Sequence, residues 1–316
     1  MLLGLAIGDA LGNTTEGQLP ASRRSIRDYQ PNLHANGRAI GLPSDDTQLA
    51  FRTLEHLLEH NRIVPERLLA IFADRCIFGI GSTVAAACQA FRDGRPWWEA
   101  AQNSAGNGAV MRVAPVVVPH LKSPSPALWE DAVLAGSVTH NDATSIGACV
   151  ALVGMLWELL GMAAPPKPEW WINAFLVRAR PLEGEVQLQP RHSGLAFRGP
   201  LWRLVDTEVR RALEQQLTVR DACDRWYSGA FLLETVPSAL YILARHAEEP
   251  EEAILRAVND TKDNDTIAAI VGAAVGALHG RIALPARWVG GLLGRTREDD
   301  DGRVFELIAQ TRTRWS

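Results

Sequence analysis

Apolar residues recur along this chain at helical rather than strand spacing. In "TQLAFRTLEHLLEHN" the apolar positions Leu49, Phe51, Leu54, Leu57 and Leu58 are separated by charged and polar ones, the repeat of an amphipathic helix. "PERLLAIFADRC" continues in the same style, while "DATSIGACVALVGMLWELLGM" and "LLETVPSALYILARHA" are longer, mostly apolar and rich in small residues. Alternating strand patterns joined by hairpin turns are nearly absent. The patterning predicts an all-α protein.

Two segments carry a finer pattern. "LLGLAIGDALG" sets Gly4, Gly8 and Gly12 four apart, and "DTIAAIVGAAVGALHG" does the same with Ala268, Gly272, Gly276 and Gly280. On a helix this lines small residues along one face. Glycine in a helix interior costs about 1 kcal/mol relative to alanine, so several in register call for a compensating gain, and close backbone approach supplies one. These two helices are expected deep in one core, bringing the two ends of the chain together. In a membrane the pattern would suggest dimerising spans, but the segments are short and charged at their ends. Ala164–Pro200, rich in Pro and Gly, reads as loops forming a lid or rim. "TREDDDG" at Thr296–Gly302 reads as a solvated turn rather than a metal site.

Composition narrows the class. The chain has 316 residues, 47% hydrophobic and 22% charged, ordinary for a soluble globular protein. Its net charge of 32 − 36 = −4 gives no electrostatic case for nucleic acid as the main partner, which still allows a single modified nucleotide as substrate. Four cysteines, Cys76, Cys88, Cys149 and Cys223, lie far apart, with no C-x-x-C pair and no His at zinc spacing. They read as small, buried, reduced side chains of a cytoplasmic protein. No basic region precedes the apolar start, and the apolar runs fall short of the roughly 20 residues of a span, so neither secretion nor membrane insertion is expected.

Chemistry concentrates in two acidic clusters. Ser44-Asp45-Asp46-Thr47 and Asp263-Asn264-Asp265-Thr266, the latter preceded by Asp260, each stand immediately before an apolar helical run. Either alone reads as a helix cap, since Ser and Asp accept hydrogen bonds from free N–H groups and negative charge suits the helix dipole. Together they imply more. Four carboxylates at the starts of two core helices repel each other unless protonated or bound to cations. Oxygen ligands suit hard cations such as Mg²⁺, and the lack of thiolates and imidazoles in both clusters argues against zinc. Two cations a few ångströms apart would orient a substrate and polarise a water.

Three further features are weaker singly. In "NSAGNGAVMRVAPVVV" Gly106 and Gly108 flank Asn107 before an apolar helix start. Glycine lets a ligand approach the backbone and N–H groups at a helix start bind phosphate, although a plain loop-to-helix turn fits as well. Arg112 is placed to meet a phosphate or to form a salt bridge. His140 precedes a long apolar helix and reads equally as an inert helix-start histidine. Glu16 in "GDALGNTTEGQ" is, in isolation, an exposed loop carboxylate.

The ordered set "GLAIGDALG…E", "SDDTQLA", "GIGST", "GNGAVMRVAP", "THNDA" and "DNDTIAAIVGAAVGALHG" resembles the ADP-ribosylglycohydrolase family, of the dinitrogenase reductase-activating glycohydrolase type, over nearly the whole chain. The resemblance implies a compact, orthogonal multi-helix bundle forming one domain over residues 1–316, with two Mg²⁺ or Mn²⁺ ions at one end of a cleft. It implies metal ligation by Ser44, Asp45, Asp46, Asp263, Asp265 and Thr266. Glu16 matches a mobile glutamate that gates the cleft. Ser104, Gly106, Asn107 and Gly108 match the loop holding the diphosphate and distal ribose, His140 matches a substrate-contacting histidine, and Asp45 is expected at the substrate too. Three positions depart from the family pattern: Ser44 stands for Thr and keeps the hydroxyl, Lys262 stands for Gly and brings a cation near the site, and Ala105 stands where some relatives have an aromatic residue.

The implied reaction is hydrolysis of the bond from C1″ of ADP-ribose to an acceptor atom through an oxocarbenium-like transition state. Asp46 or Glu16 would take a proton from the attacking water. The substrate would be an ADP-ribosylated protein, nucleic acid or small molecule, the product ADP-ribose, and the enzyme a monomer. The rival reading is a catalytically silent relative that binds ADP-ribose or serves a structural role. A metal-dependent phosphatase is disfavoured because no DxD cluster follows an apolar strand.

Overall fold

The structure, a computed structural model, describes residues 1–122, 125–296 and 301–315. The acidic turn after Thr296 falls largely on 297–300, outside the described residues. The two small-residue stripes form the helices Leu2–Gly12 and Asn264–His279, which pack on each other along their lengths. Their backbones touch. A Cβ added at Gly4 would run into the Gly272 carbonyl, one at Gly272 into the Gly4 carbonyl, and one at Gly8 into the Ala268 carbonyl. At the end of the seam, a Cβ on Gly12 would lie 2.5 Å from Asp265 Cα. The seam therefore brings the first dozen residues against the start of the second acidic cluster.

The remaining helices wrap this pair. Leu232–His246 and Pro250–Asp260 pack on Asn264–His279, and Ala143–Leu160 packs on Pro126–Ser137 and Pro168–Glu183. Asp45–His60 buries Leu49, Phe51, Leu54 and Leu57, as its spacing predicts. It ends where Asn61 takes the left-handed conformation and its N–H reaches the Leu57 carbonyl at 2.8 Å. The described residues contain no sheet, only isolated β-bridges, so the all-α expectation holds.

Three local expectations are corrected. Ala164–Pro200 is not all loop: Pro168–Glu183 is a helix burying Trp171, Ile172, Phe175 and Ala179 on one face. Its prolines and glycine punctuate its ends, with Pro168 in the first turn, Pro181 in the last and Gly184 just beyond at φ +66°. The apolar run after Gly108 is not α-helical. It forms 3₁₀ segments, Val110–Arg112 and Ala114–His120, because Pro115 and Pro119 lack the N–H groups that a longer α-helical ladder needs. Of the four cysteines, Cys76 is exposed while the other three are buried. Burial pushes the Cys149 and Cys223 thiols up to about 12, which keeps them protonated. By length and composition Ala143–Leu160 would suffice to cross a membrane, but most of it is buried inside the fold.

The seam leaves no room for a methyl group. Gly8→Ala or Gly272→Ala should cost about 3 kcal/mol or more, since the clash is with backbone that cannot rotate away. Gly290→Ala, where an added Cβ meets nothing within 4 Å, should stay within about 1 kcal/mol of wild type. Urea denaturation of the three variants compares them, and equal losses would contradict the seam.

Candidate metal centre and substrate cleft

The first acidic cluster is held in place by a residue whose role was not read from the sequence. Asp9, on the Leu2–Gly12 helix, is fully buried. Its carboxylate accepts from the Ser44 N–H at 2.9 Å, the Thr47 N–H at 3.0 Å, the Ser44 hydroxyl at 2.7 Å and the Thr47 hydroxyl at 2.5 Å. These are the free donors at the start of Asp45–His60. Asp9 thus caps that helix from another part of the chain. The cap expected from Ser44 itself is absent: Ser44 is the N-cap residue, but its hydroxyl donates to Asp9 and, at 3.2 Å, to Asp46 Oδ2.

With the cap supplied by Asp9, the Asp45 and Asp46 carboxylates are left for other work. Asp46 Oδ2 also accepts from the Thr266 hydroxyl at 3.4 Å, joining the two clusters directly. Asp46 Oδ1 is buried and has no hydrogen-bond partner. Asp45 Oδ2 accepts from the Gly81 N–H at 3.1 Å. In the second cluster Asp263 accepts from Asn107 Nδ2, and Asp265 Oδ1 from the Thr266 N–H at 2.9 Å. Asn264 ties this cluster to the seam by donating to the Gly12 carbonyl and Thr15 Oγ1, both at 3.0 Å.

The carboxylate oxygens fall into two groups that share Asp265. Asp9, Asp46 and Asp265 each place an oxygen within 4.8 Å of the others, and so do Glu16, Asp263 and Asp265. Both are hard-oxygen sets of the kind that hold Mg²⁺ or Mn²⁺, and the orphaned Asp46 oxygen has no other partner to satisfy it. Burial raises the pKa of every member. It lifts Asp263 to about 6 and neighbouring Asp45 to about 8, and takes Asp46 and Asp265 well above the usual carboxylate range, with like charge adding to the effect. Asp9 is raised by burial against the opposing pull of its hydrogen bonds. Glu16 is exposed as a residue, but its carboxylate enters the cleft, where loss of water raises it too.

Above these groups opens a cleft of about 310 Å³, within the usual range for small-molecule sites. Its floor is Glu16, Asp45, Asp46, Asp263, Asp265 and Thr266, and its walls include Ser104, Gly106, Asn107, Gly108 and His140. The glycine loop is pinned on both sides. Gln102 pairs with His140 in an isolated β-bridge, and the Leu232 N–H reaches the Ala105 carbonyl at 3.0 Å. The space beside Gly108 is taken by the His140 ring, 3.0 Å from where a Cβ would stand. Asn107 turns its amide to Asp263 and, at 3.0 Å, to Thr235 Oγ1, so it braces the floor from the wall.

Of the residues that the family resemblance implies as metal ligands or substrate contacts, all but Ser44 line the cleft, and Ser44 lies behind Asp46, to which its hydroxyl donates. Lys262 points away, with Nζ 3.0 Å from both Asp224 Oδ1 and the Tyr227 carbonyl and stacked on the Tyr227 ring. Asp260 pairs with Arg256 at 3.1 Å outside the cleft. Residues beyond the predicted set also line it, among them Gly79 and Gly81–Thr83 from the "GIGST" stretch, Val84 just after it, and Arg191 from the irregular 184–200 segment. Arg191 is held by its N–H, which donates to buried Glu234 at 2.7 Å, and by its guanidinium, 4.3 Å from the Phe231 ring centre. Glu16 owes its place to Arg23, which grips the Gln18, Val258 and Thr261 carbonyls and so fastens this loop beside the second cluster.

Residues 1–314 match the profile of a family described as ADP-ribosylglycohydrolase. An uncharacterized protein of Archaeoglobus fulgidus is 29% identical, over 97% of this chain and 95% of its own. ADP-ribosylarginine hydrolase Tri1 of Pseudomonas putida is 28% identical, over 91% of this chain and 72% of its own. ADP-ribosylhydrolase ARH3 of Xenopus tropicalis is 25% identical, over 91% and 88%. A solved structure described as an ADP-ribosylglycohydrolase-related protein complex superposes with a TM-score of 0.71 at 26% identity, covering 98% of this chain and 96% of that one.

The raised carboxylates set a pH dependence. A carboxylate whose folded pKa lies above its unfolded value favours the fold at low pH, and this contribution is lost as pH rises through the folded pKa. Between about pH 6 and pH 8, where Asp263 and Asp45 ionise, the metal-free cluster should become self-repelling and a cation should relieve it. The rise in Tm on replacing EDTA with Mg²⁺ or Mn²⁺ should therefore grow from pH 5.5 to pH 8.5. Differential scanning fluorimetry measures it, and a Tm indifferent to cations at both pH values would contradict the assignment.

Proposed function

Because this chain belongs to the ADP-ribosylglycohydrolase family, we propose that it removes ADP-ribose from a modified acceptor by hydrolysing the C1″ glycosidic bond. The observation that carries the reading is the cleft itself, in which two carboxylate groups sharing Asp265 face the Gly106–Gly108 loop. The names of two relatives, an ADP-ribosylarginine hydrolase and an ADP-ribosylhydrolase, support the same substrate class.

Two divalent cations, Mg²⁺ or Mn²⁺, fit the donor set. Asp9, Asp46 and Asp265 would hold one and Glu16, Asp263 and Asp265 the other, with Asp45, Thr266 and Ser44 contributing or orienting oxygens. When bound, such ions supply Lewis-acid polarisation of ribose hydroxyls and of an attacking water. The chain's own residues do the rest. The glycine loop with Ser104 seats the diphosphate and distal ribose. Arg191, the one Arg or Lys among the described cleft-lining residues, faces the negative diphosphate. Asp45 and its neighbours favour the positive charge that develops at C1″.

Proton transfer falls to Glu16. Glu16 is the solvent-exposed member of the cleft floor, whereas Asp46 is buried and its Oδ2 already accepts from the Ser44 and Thr266 hydroxyls. In the proposed step the water oxygen bonds to C1″, the C1″–acceptor bond breaks with its electron pair leaving on the acceptor, and the water's proton passes to Glu16 and on to the leaving group. Asp46 then serves mainly to hold and orient.

Asp265→Asn removes a member of both carboxylate groups and should lower kcat by at least about 100-fold while circular dichroism stays native. Arg191→Ala should raise KM about tenfold with kcat little changed, the loss of one charged contact. Release of ADP-ribose from arginine-, serine-, acetyl ester- and nucleobase-linked substrates provides both readouts and identifies the acceptor. Near-normal turnover in Asp265→Asn would overturn the site assignment. ADP-ribose binding by wild type without release from any linkage would favour the silent relative.

A further inference from the structure

The Thr139 hydroxyl lies between two buried groups. Arg112 Nη2 donates to Thr139 Oγ1 at 2.7 Å, and the same oxygen is 2.8 Å from His140 Nδ1. Arg112 and Thr139 have no solvent exposure and His140 has 1%. Among the described residues no carboxylate pairs with Arg112. Its Nε donates to the Gly108 carbonyl at 3.1 Å, and its guanidinium lies 4.9 Å from the Phe72 ring centre. A buried cation without a counter-ion is costly, yet this one is placed to hold the glycine loop and the Thr139–His140 pair together.

The direction of the hydrogen bonds follows from donor chemistry. Arg can only donate. Thr139 Oγ1 therefore accepts a hydrogen bond from Arg112 and has its own hydrogen to donate, and His140 Nδ1 is the acceptor in reach. A neutral imidazole carries one N–H. With Nδ1 accepting, that proton sits on Nε2. Burial, with the positive charge of Arg112 behind it, holds the ring neutral by pulling its pKa down to about 3. His140 lines the cleft, and its Nε2 has no hydrogen-bond partner among the described residues. A Cβ at Gly106 would stand 3.5 Å from it.

We propose that Arg112 and Thr139 are positioning residues that fix His140 as its Nε2–H tautomer, so that it donates a hydrogen bond to an oxygen of the ligand seated on the Gly106–Gly108 loop. The opposite tautomer would turn a lone pair toward the phosphate and ribose oxygens and repel them. The donor role rests on the ADP-ribosyl hydrolase reading. The tautomer itself follows from the Arg112–Thr139–His140 geometry alone.

The test is long-range ¹H–¹⁵N spectroscopy of the full chain labelled at histidine, with the His140 signals identified by their loss in His140→Gln. Wild type and Thr139→Ser should show the Nε2–H form at pH 7. Thr139→Val should show mixed tautomers and bind ADP-ribose about tenfold more weakly, with binding restored in Thr139→Ser. A wild-type His140 that is Nδ1–H or doubly protonated at pH 7 would overturn the proposal, whether or not Thr139→Val folds. So would an unchanged tautomer and Kd in folded Thr139→Val. Protein that shows Nε2–H His140 yet hydrolyses no substrate would sink the hydrolase reading and leave the tautomer assignment standing.

Discussion

Everything at this site depends on two helices touching backbone to backbone. The glycine seam between Leu2–Gly12 and Asn264–His279 sets Asp9 beside Asp265, because Gly12 lies directly against the Asp265 backbone. Asp9 in turn caps Asp45–His60 through both its N–H and hydroxyl donors. One short helix therefore fixes both acidic clusters relative to each other. Methyl groups in the seam would separate the helices and move the clusters apart together.

The second constraint is electrostatic. The fold gathers six carboxylates, Glu16, Asp45, Asp46, Asp263 and Asp265 lining one cleft and Asp9 buried beside them, with pKa values raised by burial in all six and further by like charge in Asp45, Asp46, Asp263 and Asp265. Their hydrogen bonds orient the side chains but leave Asp46 Oδ1 unsatisfied. Protonation or cations would resolve this, and on the proposed reading divalent ions would do so at neutral pH. The cations of the neighbourhood are turned elsewhere: Lys262 to Asp224, Arg23 to backbone carbonyls, Arg112 to Thr139 and Gly108. Among the described residues Arg191 is the one Arg or Lys that lines the cleft.

Legibility in the sequence follows the range of each interaction. Asp45, Asp46, Asp263 and Asp265 stand out because each pair sits at a helix start, a local signal. The glycine stripes are legible for the same reason, since a four-residue repeat states its own face. Asp9 is in plain view within "GLAIGDALG", yet its partners lie 35 and 38 positions away, so only the fold reveals it as the cap that Ser44 was expected to provide. Lys262 was placed near the site by its position, but a flexible four-carbon chain goes where its partners are. Arg191 belongs to a segment without periodicity, and its position is set by Glu234 and Phe231, residues no spacing rule connects to it. Helix Pro168–Glu183 was hidden by the prolines that begin and end it.

The central claim is that two carboxylate groups joined at Asp265 bind two divalent cations. Anomalous scattering from Mn²⁺-soaked crystals tests it most directly, because it locates the ions without relying on activity. The account predicts two peaks, one among Asp9, Asp46 and Asp265 and one among Glu16, Asp263 and Asp265, both weakened in Asp265→Asn. A map without density at these oxygens, in crystals where Mn²⁺ saturates the solution, would contradict it.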